Sequence, residues 1–376
     1  MTTRQNIKGA LFSPFQLGET PLGNRIVMAS MTRGRAVNPG LVPTELHVEY
    51  YRRRASAGLI MTEATWVNEE AIGAPNVPGL FNKAQVAAWR DVTDAVHAAG
   101  GRIYAQVGHS GAVSHPDFFG GALPLAPSEV NPKLQAFTPS GFKATVTPRA
   151  MTLEDIVATV AAYAAAADNA REAGFDGVEL HSATTYLLPQ FLNSALNVRT
   201  DRYGGNAENR VRVVIDILEA MIARWPGRRV GLKISPTAAM GGFAPTAETV
   251  STYDRLVERL NDLPLSHLQV TRAISLDQAT SPVAALADTI GYYRSRYRGV
   301  LVANGGYDAD MAGAEIAEGR ADVISFGAPF IANPDLVRRF AESLPLSSPD
   351  GATYYQGGVQ GYLDYPEHLS DQDSVR

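Results

Sequence analysis

Short runs of aliphatic and β-branched residues alternate with longer segments of helical periodicity along almost the whole chain. Eight of the runs have the length and composition of buried strands, at residues 25–28, 59–64, 102–106, 177–180, 230–234, 267–271, 300–303 and 322–326. Between them, apolar positions recur with the period of a helix, at residues 83–99, 153–173, 209–225, 247–260, 282–297 and 309–318. Eight strands that alternate with helices predict an α/β fold of the TIM (β/α)8 barrel type.

Residues at the ends of the helical segments agree with this alternation. Thr152 and Thr246 precede two segments that carry acidic residues in their first turn, and Gly101, Gly174 and Gly319 follow three others. Such residues are typical starts and stops of helices.

A doubly wound sheet also alternates strands and helices, but it usually has a glycine-rich phosphate loop after its first strand. Residues 28–31, Met-Ala-Ser-Met, do not form such a loop, which favours the barrel. A long proline- and glycine-rich excursion at residues 108–148 follows the third strand and is expected to cover the C-terminal mouth of the barrel. We expect residues 1–376 to form a single domain, with a core at about 11–366 and a tail at 367–376.

Composition narrows the range of partners. The chain of 376 residues has a formal net charge of −5 without a dense basic block, which argues against nucleic-acid binding. It has no cysteine, so disulfides, thiolate metal sites and thiol nucleophiles are excluded. The polar N-terminus lacks the apolar core of a signal peptide, and the longest apolar stretch, 156–167, is too short to span a bilayer. These features predict a cytoplasmic protein without a membrane segment.

The segment after the fourth predicted strand carries the most informative side chains. His181, Thr184 and Tyr186 follow this strand, at the end of a barrel strand that usually carries catalysis. An imidazole and a hydroxyl there could polarise a carbonyl oxygen, and a phenol could deliver a proton to carbon. The structural alternative is a buried histidine bonded to the backbone beside a packed tyrosine, which is the commoner arrangement for an isolated pair.

Other motifs along the chain favour the catalytic interpretation. They are Leu-Phe-Ser-Pro-Phe at 11–15, Asn-Arg-Ile-Val-Met-Ala at 24–29, Glu-Tyr-Tyr-Arg at 49–52, Ala-Gly-Leu-Ile at 57–60, Asp-Arg-Tyr-Gly-Gly at 201–205, Ile-Ala-Asn-Pro-Asp-Leu at 331–336 and Gly-Gly-Val-Gln-Gly-Tyr at 357–362. The order and spacing of these motifs make the chain resemble the old yellow enzyme family from residue 11 to residue 366.

The resemblance implies a barrel that binds FMN across its C-terminal mouth and is reduced by a transiently bound NADPH or NADH. Thr32 would contact the flavin O4 edge, Gln106 the pyrimidine edge, and Lys233 the N1 and O2 region, where the family often has arginine. The phosphate would bind at the loops after strands seven and eight, as is common in TIM barrels. The cofactor-binding residues implied in this way are Ala29, Ser30, Met31, Thr32, Ala64, Gln106, His181, Lys233, Asn304, Gly305, Gly306, Gly327 and Ala328.

Three further positions depart from the family pattern. Ala328 stands where members often have an arginine at the phosphate, Gly108 where a tryptophan is frequent, and Thr184 where Asn or His usually occurs. The absent arginine removes a charge-assisted partner of the phosphate. Gly108 is expected to widen the pocket, which predicts a bulky or unusual acceptor. The expected substrate-binding residues are His181, Thr184, Tyr186, Gly108 and Tyr355.

The reaction implied by the resemblance is the ping-pong reduction of an α,β-unsaturated carbonyl compound. His181 and Thr184 would hold the carbonyl, and Tyr186 would donate the proton. Two alternatives stay open: a flavin-dependent reductase of nitro compounds, nitrate esters or quinones, and a non-catalytic flavin-binding or scaffold barrel. Both a monomer and a homo-oligomer are compatible with the sequence. No metal is assigned, because His109, His115 and Asp117 lack a recognised ligand spacing.

Overall fold

Eight parallel strands form a closed barrel in the computed structural model, which describes residues 9–273 and 281–368. Each strand pairs with the next along the chain, and β8 pairs with β1. The strands are β1 (Ile26–Met28), β2 (Leu59–Met61), β3 (Ile103–Gly108), β4 (Gly177–Ser182), β5 (Val230–Ile234), β6 (His267–Thr271), β7 (Leu301–Asn304) and β8 (Val323–Phe326). The predicted TIM barrel is confirmed.

A helix follows each strand and packs outside the barrel. These helices are α1 (Glu45–Arg52), α2 (Lys83–Ala98), α3 (Leu153–Glu172), α4 (Ala207–Ile222), α5 (Thr249–Leu260), α6 (Thr289–Arg294), α7 (Ala309–Ala317) and α8 (Leu336–Glu342). Two additional short helices, Leu187–Leu192 and Ala328–Ala332, lie in the loops after β4 and β8. Within the described residues, no helix has both the length and the apolar character that crossing a membrane requires.

Apolar side chains fill one end of the barrel interior. An antiparallel hairpin, Phe15–Leu17 with Thr20–Leu22, precedes β1 and places Leu17 and Leu22 in this cluster. The barrel strands contribute Val27, Leu59, Met61, Tyr104, Val302 and Val323. The hairpin therefore closes the N-terminal end and leaves the C-terminal mouth for polar side chains.

Several predicted element ends are wrong by a few residues. The helix predicted at 247–260 begins at Thr249, because Thr246 forms a turn in which its N–H donates to Thr249 Oγ1 and its C=O accepts from Thr249 N–H. The helix predicted at 282–297 is reduced to a 3₁₀ turn, Ala284–Leu286, and α6, because Asp288 caps α6 by accepting from Gly291 N–H. Gly100, not Gly101, takes the left-handed conformation after α2, with φ of 81°.

Helix α1 was missed because its buried face is formed by polar aromatic side chains. His47, Tyr50 and Tyr51 are buried in a helix whose sequence, Glu-Leu-His-Val-Glu-Tyr-Tyr-Arg, has no aliphatic stripe. Conversely, the predicted start of α3 is confirmed. Thr152 Oγ1 accepts from Asp155 N–H, and the Asp155 carboxylate accepts from Thr152 N–H.

The excursion between β3 and α3 is built from small structured pieces. It contains two 3₁₀ turns, Gly111–Val113 and Pro116–Phe118, and an antiparallel hairpin, Gln135–Thr138 with Gly141–Ala144. Its hairpin borders a cavity that also contacts Tyr355, a residue that reaches the barrel mouth. The excursion therefore lies over the mouth, as its position after the third strand predicted.

Candidate active site

The strand ends bring the predicted site residues together at one mouth. His181 on β4 is the register neighbour of Lys233 on β5, and Gln106 on β3 is the neighbour of Glu179 on β4. The other predicted residues lie at or after the ends of β1, β2, β3, β7 and β8: Ala29, Ser30, Met31, Thr32, Ala64, Gly108, Asn304, Gly305, Gly306, Gly327 and Ala328. Their convergence follows from the parallel order of the strands.

His181 and Tyr186 form the centre of this group. Their ring centroids lie 4.9 Å apart with the planes at 78°, and Tyr186 also packs beside Trp66 at 6.2 Å. In the described residues, neither ring nitrogen of His181 bonds to the backbone, and the buried Nδ1 has no partner at all. A buried polar atom without a partner is expensive. The arrangement therefore differs from the structural alternative and leaves His181 available to a bound molecule.

Burial sets the protonation states of both rings. Burial, together with the Lys233 charge, lowers the pKa of His181 to about 3. Burial raises the pKa of Tyr186 to about 12. At neutral pH the site therefore holds a neutral imidazole that can donate one hydrogen bond and a phenol that retains its proton.

Thr184 is held in an unusual conformation. Its φ of 59° lies in the left-handed region, which a β-branched residue rarely adopts. Its N–H donates to Ser235 Oγ at 2.6 Å, and its own hydroxyl donates to the Ala183 carbonyl at 2.7 Å. The hydroxyl must rotate away from Ala183 before it can donate to a ligand.

Gly108 opens the space beside His181. A Cβ added at Gly108 would lie 3.5 Å from His181 Cβ and 3.8 Å from Ala64 Cβ, which are ordinary van der Waals distances. Gly108 and Ala64 therefore form a wall of small residues on one side of the imidazole. A larger side chain at Gly108 would occupy the space next to the ring.

A buried chain of hydrogen bonds lies beneath the mouth. Ser30 Oγ donates to Gln106 Oε1 at 2.7 Å, and Gln106 Nε2 donates to Glu179 Oε1 at 2.6 Å. His267 Nε2 donates to the other Glu179 oxygen at 2.9 Å, and Ser266 Oγ lies 2.9 Å from His267 Nδ1. Although burial opposes its charge, the hydrogen bond from His267 and the nearby positive charges lower the pKa of Glu179. The carboxylate thereby fixes which way the Gln106 amide points, because an ionised carboxylate only accepts.

Glu179 and His267 are functional candidates that were not predicted from the sequence. The available signal was the strand alternation, since Glu179 lies two residues before His181 and so faces the same side of β4. A charged residue within a buried strand is a further signal.

Lys233 is buried beside the Glu179 carboxylate. Burial lowers the pKa of Lys233, while the Glu179 charge acts in the opposite direction. Its register neighbour on β6 is Gln269, which is fully buried and has no hydrogen-bond partner on either polar atom of its amide among the described residues. Gln269 and His181 thus have unsatisfied buried polar atoms on the strands that flank Lys233.

The loops after β7 and β8 have exposed backbone donors. Gly305 and Gly306 take positive φ angles of 115° and 65°, and Gly327 approaches Met31, whose Sδ would lie 3.7 Å from a Cβ added there. Asn304 Nδ2 donates to Ser325 Oγ at 2.8 Å and so ties the two strand ends together. Successive N–H groups in this kind of conformation form anion-binding concavities.

Cavities surround this centre. One of 340 Å³ is bordered by Lys233, Thr271, Arg272 and Asn304, and its described lining contains no carboxylate. A second, of 330 Å³, is lined by Ser30, Met31, Thr32, Ala328, Ile331, Tyr354 and Tyr355. Tyr355 also borders the 580 Å³ cavity under the excursion hairpin. The mouth can therefore hold an extended ligand with an anionic end.

Buried arginines carry the C-terminal segment to the mouth. Arg33 Nη2 donates to the Gly361 carbonyl at 2.7 Å, and Arg35 Nη2 donates to the Thr353 carbonyl at 2.8 Å. Glu63 holds the loop that carries Arg33, because its carboxylate accepts from Arg33 N–H at 3.0 Å. Tyr355 is placed by these contacts, which no local sequence pattern predicted.

The three excursion residues weighed as a metal site have other partners. His109 Nδ1 accepts from Gly111 N–H at 3.0 Å, and the His115–Asp117 pair lies beside Lys143, whose Nζ is 2.6 Å from Asp117 Oδ2. Among the described residues, no cluster of three or more histidine, cysteine or carboxylate side chains could hold a metal ion.

Comparison with known proteins gives consistent similarities. Residues 10–347 match the sequence model of the NADH:flavin oxidoreductase / NADH oxidase family. The chain is 37% identical over 380 residues to flavin oxidoreductase hxnT of Emericella nidulans, covering 95% of this chain and 97% of that protein. It is 35% identical over 364 residues to 12-oxophytodienoate reductase 1 of Oryza sativa subsp. japonica, covering 95% and 92%. A solved structure of morphinone reductase in complex with tetrahydroNAD superimposes with a TM-score of 0.89 at 38% identity, covering 96% and 98%.

Proposed function

Because the chain belongs to the NADH:flavin oxidoreductase / NADH oxidase family, the family of old yellow enzyme, we propose that it reduces the C=C bond of α,β-unsaturated carbonyl compounds. It is an FMN-dependent oxidoreductase that uses a nicotinamide reductant. The observation that carries the proposal is the pair of His181 and Tyr186, a neutral imidazole and a protonated phenol whose rings lie 4.9 Å apart.

The residues at the mouth fit FMN. The N–H groups after β7 and β8 suit a phosphate, at Gly305, Gly306, Gly327 and Ala328. After its bonds to Ser30 and Glu179, Gln106 retains one donor and one acceptor, which complements the imide-like edge of a flavin pyrimidine. Lys233 supplies the positive charge that stabilises electron density on the ring. Ala29, Ser30, Met31, Thr32, Ala64 and Asn304 complete the proposed binding surface.

FMN, when bound, supplies hydride transfer from the nicotinamide to the β-carbon of the enone. His181 donates a hydrogen bond to the substrate carbonyl, and this bond strengthens as negative charge develops on the oxygen. Thr184 adds a second donor once its hydroxyl leaves the Ala183 carbonyl. Tyr186 then transfers its proton to the α-carbon.

The pocket favours an acceptor larger than a simple cyclic enone. Gly108 and Ala64 leave open space beside His181, and the 580 Å³ cavity bordered by Tyr355 adjoins the mouth. Turnover of cyclohexenone with no turnover of bulky enones would contradict this part of the proposal.

The decisive variant is Tyr186→Phe, which removes only the hydroxyl. We expect oxidation of the reduced enzyme by 2-cyclohexenone to slow by roughly 10²-fold, the usual contribution of a general acid. Reduction of the flavin by NADPH or NADH should change little, because it needs no proton from Tyr186. Anaerobic stopped-flow absorbance measures the two half-reactions separately.

A nitro compound or a quinone serves as the control acceptor in the same experiment. Their reduction does not require the Tyr186 proton, so Tyr186→Phe should leave it unchanged if the enone is the proper substrate class. Equal loss in both half-reactions would rule out a proton-donor role. Undiminished enone turnover would rule out that role as well. An unmodified protein that is reoxidised by nitro compounds, nitrate esters or quinones but not by enones would favour the alternative function.

A further inference from the structure

Arg272 crosses the loop that follows β7. It comes directly after β6, where its backbone N–H donates to the Asn304 carbonyl at 2.9 Å. Its Nε donates to the Gly305 carbonyl at 2.5 Å and its Nη2 to the Gly306 carbonyl at 3.1 Å. The guanidinium carbon lies 4.5 Å from the ring centroid of Tyr307. Two carbonyls and a ring therefore fix the guanidinium on one side of the loop.

This arrangement turns the N–H groups of the loop to the other side. In a trans peptide the C=O and the following N–H point in opposite directions. Since the carbonyls of Gly305 and Gly306 face Arg272, the N–H groups of Gly306 and Tyr307 face away from it. Neither N–H has an acceptor among the described residues. The positive φ angles of both glycines make this pair of unpaired donors possible.

Within residues 9–273 and 281–368, no carboxylate neutralises the charge of Arg272. No carboxylate of the described chain forms an ion pair with it, and the described lining of its cavity, shared with Lys233, contains none. By contrast Arg296, which also lies over a tyrosine ring, at 3.6 Å from Tyr292, has Asp254 3.6 Å away. Arg272 therefore raises the positive potential at these two donors.

We propose that Arg272 recognises the phosphate monoester of FMN, both by orienting the N–H groups of the Gly305–Gly306 loop and by supplying the cation that Ala328 does not. This inference rests on the proposed function, since it assumes that FMN binds at the mouth. Arg272 acts as a positioning residue, because it orients the N–H groups of the loop, and as a counter-charge to the phosphate. It performs from the end of β6 the role that the resemblance placed after β8.

The test compares FMN with riboflavin, which has the same ring and no phosphate. Flavin-free protein is titrated with each ligand, and the quenching of flavin fluorescence gives both dissociation constants. We expect Arg272→Gln to weaken FMN binding about tenfold or more, as loss of a charge-assisted contact should, and riboflavin binding less than about twofold. Arg272→Lys keeps the charge but loses the planar fork of the guanidinium. Its dissociation constant for FMN should lie between those of the unmodified protein and of Arg272→Gln.

Arg296→Gln is the matched control, because it removes an arginine that stacks on a tyrosine away from the mouth. It should leave both constants unchanged. An unaltered ratio of FMN to riboflavin affinity in Arg272→Gln would overturn the proposal, and so would an equal loss for both ligands, which would indicate only a structural role. If Arg272→Gln does not fold, the same ratio in Arg272→Lys decides.

The pyrophosphate of the nicotinamide nucleotide is the other possible phosphate. The dissociation constant of NADH is therefore measured on the FMN-saturated variants and should not change. A loss confined to NADH would reassign Arg272 and contradict the proposal. Failure of the unmodified protein to bind either flavin would overturn both this proposal and the proposed function. An altered selectivity between FMN and riboflavin in Arg272→Gln, in a protein that does not turn over enones, would contradict the proposed function alone.

Discussion

At the scale of single residues, Thr184 combines backbone strain with an engaged side chain. Its φ of 59° crowds the β-branched side chain against the backbone, and its hydroxyl donates a hydrogen bond to the Ala183 carbonyl. The bond from its N–H to Ser235 Oγ, at 2.6 Å, helps to hold this conformation. Asparagine adopts the left-handed region more readily and carries a longer donor.

We predict that Thr184→Asn stabilises the fold by roughly 0.5–1 kcal/mol, because it relieves part of the left-handed penalty. It should also raise kcat/KM for enones several-fold, because its amide can donate without breaking a local bond. Urea unfolding measures the first effect and steady-state kinetics the second.

Thr184→Val is the control, since it keeps the shape and removes the hydroxyl. It should lose both the hydrogen bond to the Ala183 carbonyl and the donor to the substrate carbonyl. It should keep the backbone strain. A Thr184→Asn protein that is less stable than the unmodified one would show that the left-handed backbone is not strained.

At the scale of elements, the excursion hairpin shapes the substrate side of the mouth. Phe137 borders the 580 Å³ cavity together with Phe118 and Tyr355, and it stacks on Phe142 with centroids 4.9 Å apart. The hairpin is joined to the rest of the excursion by the Lys143–Asp117 ion pair, at 2.6 Å. Within the described part of the chain, the hairpin forms no hydrogen bond, ion pair or ring contact with the loops proposed to bind FMN, so the two functions can be separated.

We predict that Phe137→Ala lowers kcat/KM for bulky enones by about tenfold, as expected for the loss of one aromatic contact. The rate with cyclohexenone and the affinity for FMN should stay within about twofold. Kinetics with a graded series of enones, together with flavin titration, tests this separation.

Phe142→Ser is the matched control, because Phe142 on the paired strand of the hairpin is 69% exposed and does not border the cavity. It should have a smaller effect on every enone. An equal loss for small and large enones in Phe137→Ala would mean that the hairpin does not select by size.

At the scale of the whole molecule, three buried histidines make stability depend on pH. Burial lowers the pKa of His47 to about 4, of His109 to about 3 and of His181 to about 3. The unfolded chain therefore binds protons near pH 6.5 that the folded chain does not bind. The stability is fully present above that pH and is lost as the pH falls towards the folded-state pKa values.

We predict that the free energy of unfolding falls by roughly 1.4 kcal/mol per pH unit for each of these histidines once the pH is well below 6.5. Urea unfolding between pH 7.5 and pH 5 measures this loss, in a range in which ordinary carboxylates scarcely titrate.

His109→Gln should reduce the slope by about a third, because one of the three groups no longer titrates, while its amide oxygen can still accept from Gly111 N–H. A stability that stays constant down to pH 5 would contradict the neutral buried state of these rings.

The sequence by itself determined the barrel. The alternation of strand and helix follows from local periodicity, and all eight predicted strands are present, two with the predicted bounds and six with shifted ends. It also identified His181 and Tyr186, because side chains at the C-terminal end of a barrel strand face the mouth whatever the rest of the chain does.

Only the tertiary structure decided what those residues can do. The protonation of His181 depends on burial and on Lys233, a neighbour on the next strand. The Ser30–Gln106–Glu179 bonds and the position of Arg272 over the Gly305–Gly306 loop join residues far apart in sequence. Local sequence carries no signal for such contacts, because hydrogen-bond geometry and desolvation are set by which strands pack side by side.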